Sequence, residues 1–299
     1  MLHGIALRYF VEVARTGSLA AASDNLHVAV SAISRQISKL EADIGAPLFE
    51  RLPRGMVLTE PGELLAEHAR RTLLEADAVL GEISASEARG GKLVRIACTE
   101  GFTRSFLPAA LARHHEAAPN ARYALRSGAP AQVEHWVTAG EVDIGVAFSG
   151  GGASALLNVV YSIEMPVRAL LGATHPLASR ASLTLADLQA FPLALLERGT
   201  TVRQLFDLCC STQGVRIEPV LSSNNSAALH AFAALTGAIT LGSAVALKGL
   251  EKERSLVWRP IDEPLLSQRV LQVTTMRERR LPAVVKGLLA TIVDMIAAE

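Results

Sequence analysis

The sequence lacks the features that would mark a secreted or strongly charged protein. It has only three cysteines in 299 residues, and its 29 basic residues are balanced by 29 acidic ones. Three cysteines that form no Cys-x-x-Cys pair and no even disulfide framework indicate a reducing compartment. Without a net charge there is no global attraction to nucleic acid or membrane, so any DNA affinity must come from locally placed cations. Half of the residues are hydrophobic, which predicts a globular chain long enough for two or three domains.

Catalytic signatures are also missing. The sequence has no G-x-S-x-G elbow, no phosphate-binding G-x-x-x-x-G-K-S/T loop, no H-E-x-x-H pair and no G-x-G-x-x-G after a strand. The neighbouring His114 and His115 point in different directions on a helix, so they are poor partners for a metal ion. We therefore expect neither an enzyme nor a metal or other cofactor.

One uncharged stretch, from Ser222 to Leu247, is long enough to be considered as a membrane span. It contains two asparagines and a histidine, and its pattern divides into a helix at 226–235, a turn and a buried strand at 238–242. We interpret it as a core segment. The chain starts with an amphipathic helix rather than a basic and then apolar leader, so we expect a cytoplasmic protein with no membrane partner.

The most informative stretch lies near the N-terminus, where short breaks separate three helical segments. The pattern at about 19–38, which follows Ser18 as a good N-cap, is typical of a helix-turn-helix. One side of its last helix is apolar and carries Ile33, Ile37, Leu40 and Ile44. The opposite side is small and mostly polar and carries Val30, Ser31, Ser34, Arg35 and Ser38. Such a surface fits the major groove, where serine can contact phosphates or bases and arginine can donate twice to guanine.

A tight turn at Pro53 follows, flanked by Arg51 and Arg54, and predicts a wing hairpin that binds phosphate or the minor groove. The alternative is an ordinary three-helix packing unit with a solvated polar side. Residues 1–58 contain six basic and five acidic side chains, a net charge of +1, so one copy should bind DNA weakly. Useful affinity would then require several copies on one DNA molecule.

The next segment predicts a long helix that begins after Thr59 as its N-cap. Small and apolar residues recur along it in steps of four and three, which is typical of a short dimerising coiled coil; this seam comprises Leu65, Ala69, Thr72, Ala76, Val79 and Ile83. The alternative is a single helix packed on its own domain. Gly90 and Gly91 mark a helix stop and a domain boundary.

Residues 1 to about 90 resemble the DNA-binding domain and linker helix of the LysR-type transcriptional regulators. The resemblance is carried by Phe10, Ala20-Ala21-Ala22, Ser34-Arg35-Gln36-Ile37, Leu40-Glu41, Gly45-Ala46-Pro47-Leu48-Phe49-Glu50-Arg51 and Leu58-Thr59-Glu60-Pro61-Gly62. It implies a winged helix-turn-helix at 1–59, a dimerising linker helix at 60–89 and an effector-binding domain at 92–299. It also implies three partners: double-stranded promoter DNA, a small-molecule effector, and further copies of the chain in a dimer of dimers.

The chain departs from the family at the start of the recognition helix. Where the family usually has Ser or Thr followed by Gln, this sequence has Ala29 and Val30. The change removes an N-cap oxygen and a base-contacting amide, and it leaves an apolar tip that suits a thymine methyl group.

Beyond Gly91 strands and helices alternate, which indicates an α/β fold with a mostly parallel sheet covered by helices. The predicted elements are a strand at 93–98, a helix at 103–115, a strand at 122–126, a helix at 131–139, a strand at 143–148 and, after further alternation, a terminal helix from Pro282. By resemblance this region forms two subdomains, as in periplasmic binding proteins. One combines about 92–162 with 269–299, the other spans about 163–268, and a cleft lies between them.

In such sheets ligands bind at the carboxyl ends of strands, beside helix N-termini. The candidate effector residues at such positions are Thr99, Glu100, Gly101, Phe102, Ser149, Thr200 and Thr201. Thr99 matches the effector-contact position of the family, although each threonine could equally cap its own helix. A small anion is one candidate effector, but the charge of Glu100 would repel an anion or attract a cation.

Two other functions stay open. One is a solute-binding or enzymatic α/β protein whose N-terminal helices serve only dimerisation. The other is a regulator that senses redox state through Cys98, Cys209 or Cys210. Adjacent cysteines do not close a disulfide easily and are more often buried as small hydrophobic residues.

Overall fold

The computed structural model describes residues 4–53, 55–84, 92–149, 154–243 and 256–298, and it divides into two compact units, Met1–Glu87 and Ala88–Glu299. The first unit is a winged helix-turn-helix followed by a long helix. Its elements are α1 (Ile5–Thr16), α2 (Leu19–Leu26), α3 (Val30–Ile44), β1 (Phe49–Leu52), β2 (Gly55–Leu58) and α4 (Glu60–Ser84).

The core of the first unit forms where α1 packs on α3. Phe10 is fully buried, and its ring lies 5.2 Å from that of Phe49. Ser18 caps α2, as predicted, by accepting a hydrogen bond from the Ala21 N–H at 3.3 Å. The prediction for Ile44 is wrong, because this side chain is 40% exposed. The helix ends there at a left-handed Gly45, so the last turn of α3 lies outside the core.

The β1–β2 hairpin is held against the rest of the first unit by backbone contacts. The Met56 N–H donates to the carbonyl oxygen of Gly17, in the turn between α1 and α2, at 2.8 Å. Gly55 has a φ of +130°, and a Cβ atom on it would lie 2.5 Å from the same Gly17 oxygen. Only glycine fits this close approach. Arg54, which lies between β1 and β2 in the sequence, is outside the described residues.

The first turns of helix α4 are partly buried, whereas later positions of the helix are exposed. Its first turns pack on their own unit, where Ala66 and Ala69 are buried and Leu65 is partly buried in the same core. The prediction that Ala69 belongs to an intermolecular seam is therefore wrong, whereas for the partly buried Leu65 it stays a prediction. Ala76 and Val79 are exposed. The side chain of Ile83 is outside the described residues.

The second unit contains two five-stranded sheets. In spatial order the first comprises β4 (Arg122–Ser127), β3 (Leu93–Cys98), β5 (Ile144–Ser149), β12 (Val270–Met276) and β6 (Leu157–Glu164). The second comprises β11 (Leu256–Pro260), β7 (Arg168–Gly172), β10 (Ile239–Gly242), β8 (Leu193–Leu196) and β9 (Leu221–Ser223). The helices among the described residues of this unit are α5 (Phe106–Ala117), α6 (Pro130–Thr138), α7 (Leu185–Gln189), α8 (Thr201–Thr212), α9 (Ser226–Thr236), α10 (Pro264–Ser267) and α11 (Ala283–Ala297), with a 3₁₀ turn at Glu100–Phe102.

In each sheet four of the five strands run in one direction and one runs in the opposite direction. The strands β4, β3 and β5 are parallel, but β12 runs antiparallel to β5 and β6. Likewise β7 runs antiparallel to β10 and β11. Each of these reversed strands begins where the chain crosses between the sheets, beside the carboxyl end of a neighbour: Val270 pairs with Ser149, and Arg168 pairs with Gly242. A strand that starts there can only run in the opposite direction.

The two sheets have separate apolar cores and are joined by two chain crossings. The crossings lie side by side, because the Met165 N–H donates to the Arg269 carbonyl at 2.7 Å and the Val167 N–H donates to the Leu266 carbonyl at 2.8 Å. The stretch considered as a membrane span contains α9 and β10, as its pattern predicts. Within the described part of the chain, no helix is both long enough and apolar enough to cross a membrane.

Candidate functional site

The proposed DNA-contacting side of α3 is presented to solvent. Val30, Ser31, Arg35 and Ser38 are exposed and Ser34 is partly buried, while Ile33, Ile37 and Leu40 on the opposite side are buried. The Arg35 Nε donates to the backbone carbonyl of Ser31 at 3.2 Å, which directs the side chain along the first turns of the helix. Arg51 is exposed on β1.

The two ends of this surface differ in how side chains hold them. Ala29 is the N-cap of α3 and provides no side-chain hydrogen bond, in keeping with the missing Ser or Thr. Further along, Glu41 Oε1 accepts the N–H groups of Leu48 and Phe49 at 2.9 and 3.4 Å. The carboxylate therefore ties α3 to the start of the wing hairpin.

In the second unit a cavity of about 530 Å³ lies between the two sheets, at the carboxyl ends of strands from both. From the first sheet it is lined by Thr99, Glu100 and Gly101 after β3, by Gly128 after β4 and by Phe148 in β5. From the second sheet it is lined by Glu197–Val202 after β8, by Asn224 and Asn225 after β9 and by Ser243 after β10. This is the position at which ligands bind in open α/β sheets.

Thr99 and Glu100 have different roles in this cavity. Thr99 precedes the 3₁₀ turn without capping it, and its buried Oγ1 has no hydrogen-bond partner among the described residues. Glu100 reaches across to the second sheet, where its Oε2 accepts the Ser226 N–H at the start of α9 at 3.0 Å. The carboxylate is thus engaged with a helix N-terminus, which favours negative charge.

Thr200 and Thr201 both line the cavity, but Thr200 is occupied as a cap. Its hydroxyl accepts the Arg203 N–H at 3.4 Å and donates to the Glu197 carbonyl at 3.1 Å. Arg203 in turn donates to the Leu196 carbonyl and to Asp207, so the loop after β8 is held in place. Thr201 is nearly buried at the first position of α8.

Two of the predicted effector residues do not line this cavity. Phe102 is fully buried in the core of the first subdomain, where its ring stacks at 5.3 Å on Phe148, because the 3₁₀ turn directs it beneath the sheet end. Ser149 lines a neighbouring pocket of about 330 Å³ together with Thr201. Phe148 lines both pockets, whereas Ser149 lines only the second.

Sequence reasoning missed Arg269 and Ser243, which also line the cavity. Arg269 is only 7% exposed, and its guanidinium carbon lies 3.2 Å from the centroid of the Phe148 ring. Burial lowers the pKa of Arg269 to about 9, so the side chain is still charged at neutral pH. No motif marked this residue, which sits in a chain crossing just before a strand.

The cysteines do not have the environment of a redox sensor. All three are free and buried. Burial raises the pKa of Cys98 to about 12 and that of Cys209 to about 11, and it raises the pKa of Cys210 as well. Because the thiolate is the reactive species, these thiols are poorly suited to oxidation at neutral pH.

A winged helix-turn-helix joined to a two-sheet domain with a ligand-sized cleft defines a DNA-binding protein of the ligand-responsive class. Residues 5–63 match the bacterial regulatory helix-turn-helix protein model of the lysR family, and residues 88–297 match the LysR substrate binding domain. The chain belongs to the LysR-type family of DNA-binding transcriptional regulators, with a substrate-binding effector domain.

Similar proteins agree with this assignment. The HTH-type transcriptional regulator cbl of Escherichia coli K12 is 29% identical over 84% of this chain and 80% of its own length. YeiE of the same organism, an uncharacterized HTH-type transcriptional regulator, is 30% identical over 75% of this chain and 74% of its length.

Solved structures share the fold across nearly the whole chain. A variant of full-length OxyR from Pseudomonas aeruginosa has a TM-score of 0.70 at 19% identity and covers 97% of this chain and 95% of its own. Full-length CbnR in complex with its target DNA has a TM-score of 0.55 at 23% identity and covers 96% and 97% of the two chains.

Proposed function

We propose that this protein is an oligomeric cytoplasmic regulator, not an enzyme, whose binding to promoter DNA changes when a small molecule enters the cleft of its effector domain. The observation that carries the proposal is the cavity of about 530 Å³ at the carboxyl ends of strands from both sheets. Its volume suits a metabolite-sized ligand.

On the DNA side, we assign groove contacts to Val30, Ser31, Ser34, Arg35 and Ser38 of α3 and phosphate contacts to Arg51 and Arg54 of the wing. The exposed small polar side of α3 supports this assignment, as does the structure of CbnR with its target DNA as a fold relative. Because the isolated unit is nearly neutral, we infer that a dimer or a dimer of dimers supplies the affinity.

On the effector side, the ligand contacts Thr99 on one sheet and Thr201 on the other. A molecule that touches both sides binds the closed arrangement better than an open one, so it favours closure. The two side-by-side crossings are the natural hinge. Closure changes the surfaces that effector domains present to one another in the oligomer, and with them the spacing of the DNA-binding units.

The test uses the full chain and DNA from upstream of its own or a neighbouring coding region. Thr99→Val and Thr201→Val should weaken the effector response while leaving basal DNA affinity nearly unchanged, because neither residue belongs to the DNA-binding unit. Thr138→Val is the matched control, since its hydroxyl donates to the His135 carbonyl at the end of α6 and Thr138 does not line the cavity. Fluorescence anisotropy with and without metabolites measures both quantities. An unchanged response in both cleft variants, or no salt-dependent DNA binding by the parent, contradicts the proposal.

A further inference from the structure

Three polar side chains that line the cleft cavity have buried atoms without hydrogen-bond partners among the described residues. They are the Thr99 hydroxyl, the Ser243 hydroxyl and the Nε and Nη1 atoms of Arg269. Buried polar atoms are almost always paired in folded proteins, so a group of unpaired ones around one cavity points to a missing ligand. Two of these donors are hydroxyls and the third is a cation.

Of these three side chains, Arg269 is the one that carries a charge. Its side chain is more than nine-tenths buried, and none of the ion pairs among the described residues includes it. The ring of Phe148 partly stabilises the guanidinium, since a cation is attracted to an aromatic face. A buried charge without an ionic partner is costly unless a ligand completes it.

The acidic residues of the cavity do not supply that partner. Glu100 is bonded to the Ser226 N–H at the start of α9. Glu197 lines the cavity from an exposed position, where water solvates its carboxylate. Because the N-terminus of α9 offsets the negative charge of Glu100, this carboxylate does not prevent an anion from binding in the cavity.

We propose that the effector is a small monocarboxylate whose negative group binds the buried guanidinium of Arg269, assisted by the hydroxyls of Thr99 and Ser243. This inference rests on the proposed function of the cleft. The planar guanidinium matches a carboxylate in charge and shape. Among the described residues that line the cavity, Arg269 is the only buried arginine or lysine, so a second negative group on the ligand would have no buried cation to pair with. Phe148, Leu196 and Leu241 provide apolar surface for an uncharged remainder.

The position of Arg269 in the fold links the binding of a carboxylate to regulation. Arg269 lies in one of the two chain crossings, and its backbone carbonyl accepts the hydrogen bond from Met165 in the other. An anion held by Arg269 therefore binds at the hinge itself, while Thr99 and Ser243 belong to opposite sheets. Neutralising the arginine and bridging the sheets both favour the closed arrangement.

The experiment compares matched ligands on the full-length protein at neutral pH. Butyrate and benzoate are titrated against butyramide and benzamide, which have the same shape without the charge, and against glutarate and phthalate, which carry two charges. Calorimetry and thermal shift report binding. We expect at least one monocarboxylate to bind saturably and to raise the melting temperature, with its amide and dicarboxylate counterparts roughly 10-fold weaker or worse.

Variants of Arg269 then test whether its charge binds the carboxylate. Arg269→Gln should weaken the monocarboxylate by roughly 10- to 100-fold, whereas Arg168→Gln, a half-buried arginine that does not line the cavity, should not. Arg269→Met removes an unpaired buried charge, so the ligand-free variant should melt at the same temperature as the parent or higher. The melting temperature of Arg269→Met is measured without ligand and shows whether this variant folds.

Several results would overturn the inference: no saturable binding by either monocarboxylate, equal binding of acid and amide, unchanged binding by Arg269→Gln, or a lower melting temperature for ligand-free Arg269→Met. DNA binding is measured in parallel. If DNA affinity responds only to a neutral or cationic metabolite, the inference fails and the proposed function stands. If monocarboxylates bind through Arg269 but the protein does not bind DNA, the proposed function fails by itself.

Discussion

At the scale of single residues, the first unit separates two ways of contacting DNA. Arg35 lies among small side chains on the exposed side of α3, whereas Arg51 lies on the hairpin. If Arg35 contacts a base edge, its loss must depend on the DNA sequence. If Arg51 contacts phosphate, the effect of its loss must be the same on every DNA sequence.

Arg35→Ala should cost about 1–3 kcal/mol at a half-site that contains guanine and much less on random DNA. Arg51→Ala should weaken all sequences similarly and reduce the salt slope by about 1, because one phosphate contact is lost. Val30→Gln should change base preference without loss of fold, since position 30 is exposed. Anisotropy at two salt concentrations measures these effects. Equal losses for Arg35→Ala on specific and random DNA would rule out base contact.

Cys98 gives a prediction about pH. Burial, with a smaller contribution from the charge of Glu100, raises the pKa of its thiol from the usual 9.0 to about 12. Between those values the unfolded chain loses the proton and the folded chain keeps it, so stability falls as pH rises through this range. The maximal slope is about 1.4 kcal/mol per pH unit.

Cys98→Ala should therefore be less stable than the parent at pH 8, by about 1–2 kcal/mol for the lost packing, but less sensitive to alkali. The gap between the two proteins should narrow from pH 9 to pH 11. Urea denaturation at several pH values measures the difference in unfolding free energy between the two proteins. The contributions of the other titrating groups are the same in both proteins and cancel in this difference. A gap that stays constant would show that this thiol does not contribute to the pH dependence.

Single residues of the site differed in how well the sequence predicted them. Thr99 and Thr201 could be predicted because each lies directly beside a strand or helix end that the local pattern marks. Arg269 could not, because its nearest site neighbours in the sequence are far away and only the second chain crossing brings it to the cavity. The burial that leaves its charge unpaired is likewise a property of the folded chain.

At the scale of elements, helices and strands followed the local pattern, while their pairing did not. The alternation after Gly91 predicts β3, β4 and β5 closely, because side-chain periodicity is local. The direction of β12 and β7 depends on where the chain crosses between the sheets, which no local pattern contains. Similarly, nothing local showed that Leu65 and Ala69 of α4 face their own unit.

The wing hairpin is sensitive to a single added methyl group. Gly55→Ala would place a Cβ against the Gly17 carbonyl oxygen at a positive φ, so the hairpin must shift. We expect a loss of roughly 1–3 kcal/mol in unfolding free energy and weaker binding to all DNA sequences, because Arg51 moves with the hairpin. Gly172→Ala is the control, since a Cβ there meets no atom within 4 Å. Its stability should change by less than about 1 kcal/mol.

Chemical denaturation and DNA titration of the two glycine variants test this prediction. If Gly55→Ala retained both parental stability and parental DNA affinity, the backbone contact at Gly17 would not position the hairpin. A loss of stability without any loss of DNA affinity would separate the hairpin from DNA binding.

At the scale of the whole molecule, assembly follows from charge and from what α4 leaves exposed. A DNA-binding unit with a net charge of +1 needs a second copy to gain affinity. If copies associate through α4, Ala69 cannot take part because it is buried in its own unit, so the contact would lie further along the helix. Ala76 and Val79, the latter 48% exposed, are the described apolar seam positions that stay available.

The double variant Ala76→Glu with Val79→Glu should therefore release monomers, because it places like charges opposite one another in the seam. Those monomers should retain little operator DNA, since each carries a single weak DNA-binding unit. Leu64→Glu is the matched control. Leu64 lies on the same helix and is 68% exposed, but it falls outside the seam repeat, so its replacement should leave assembly unchanged. Multi-angle light scattering measures the mass of each protein. If the double variant kept the parental mass, or if Leu64→Glu dissociated the protein as readily, the copies would associate through another surface.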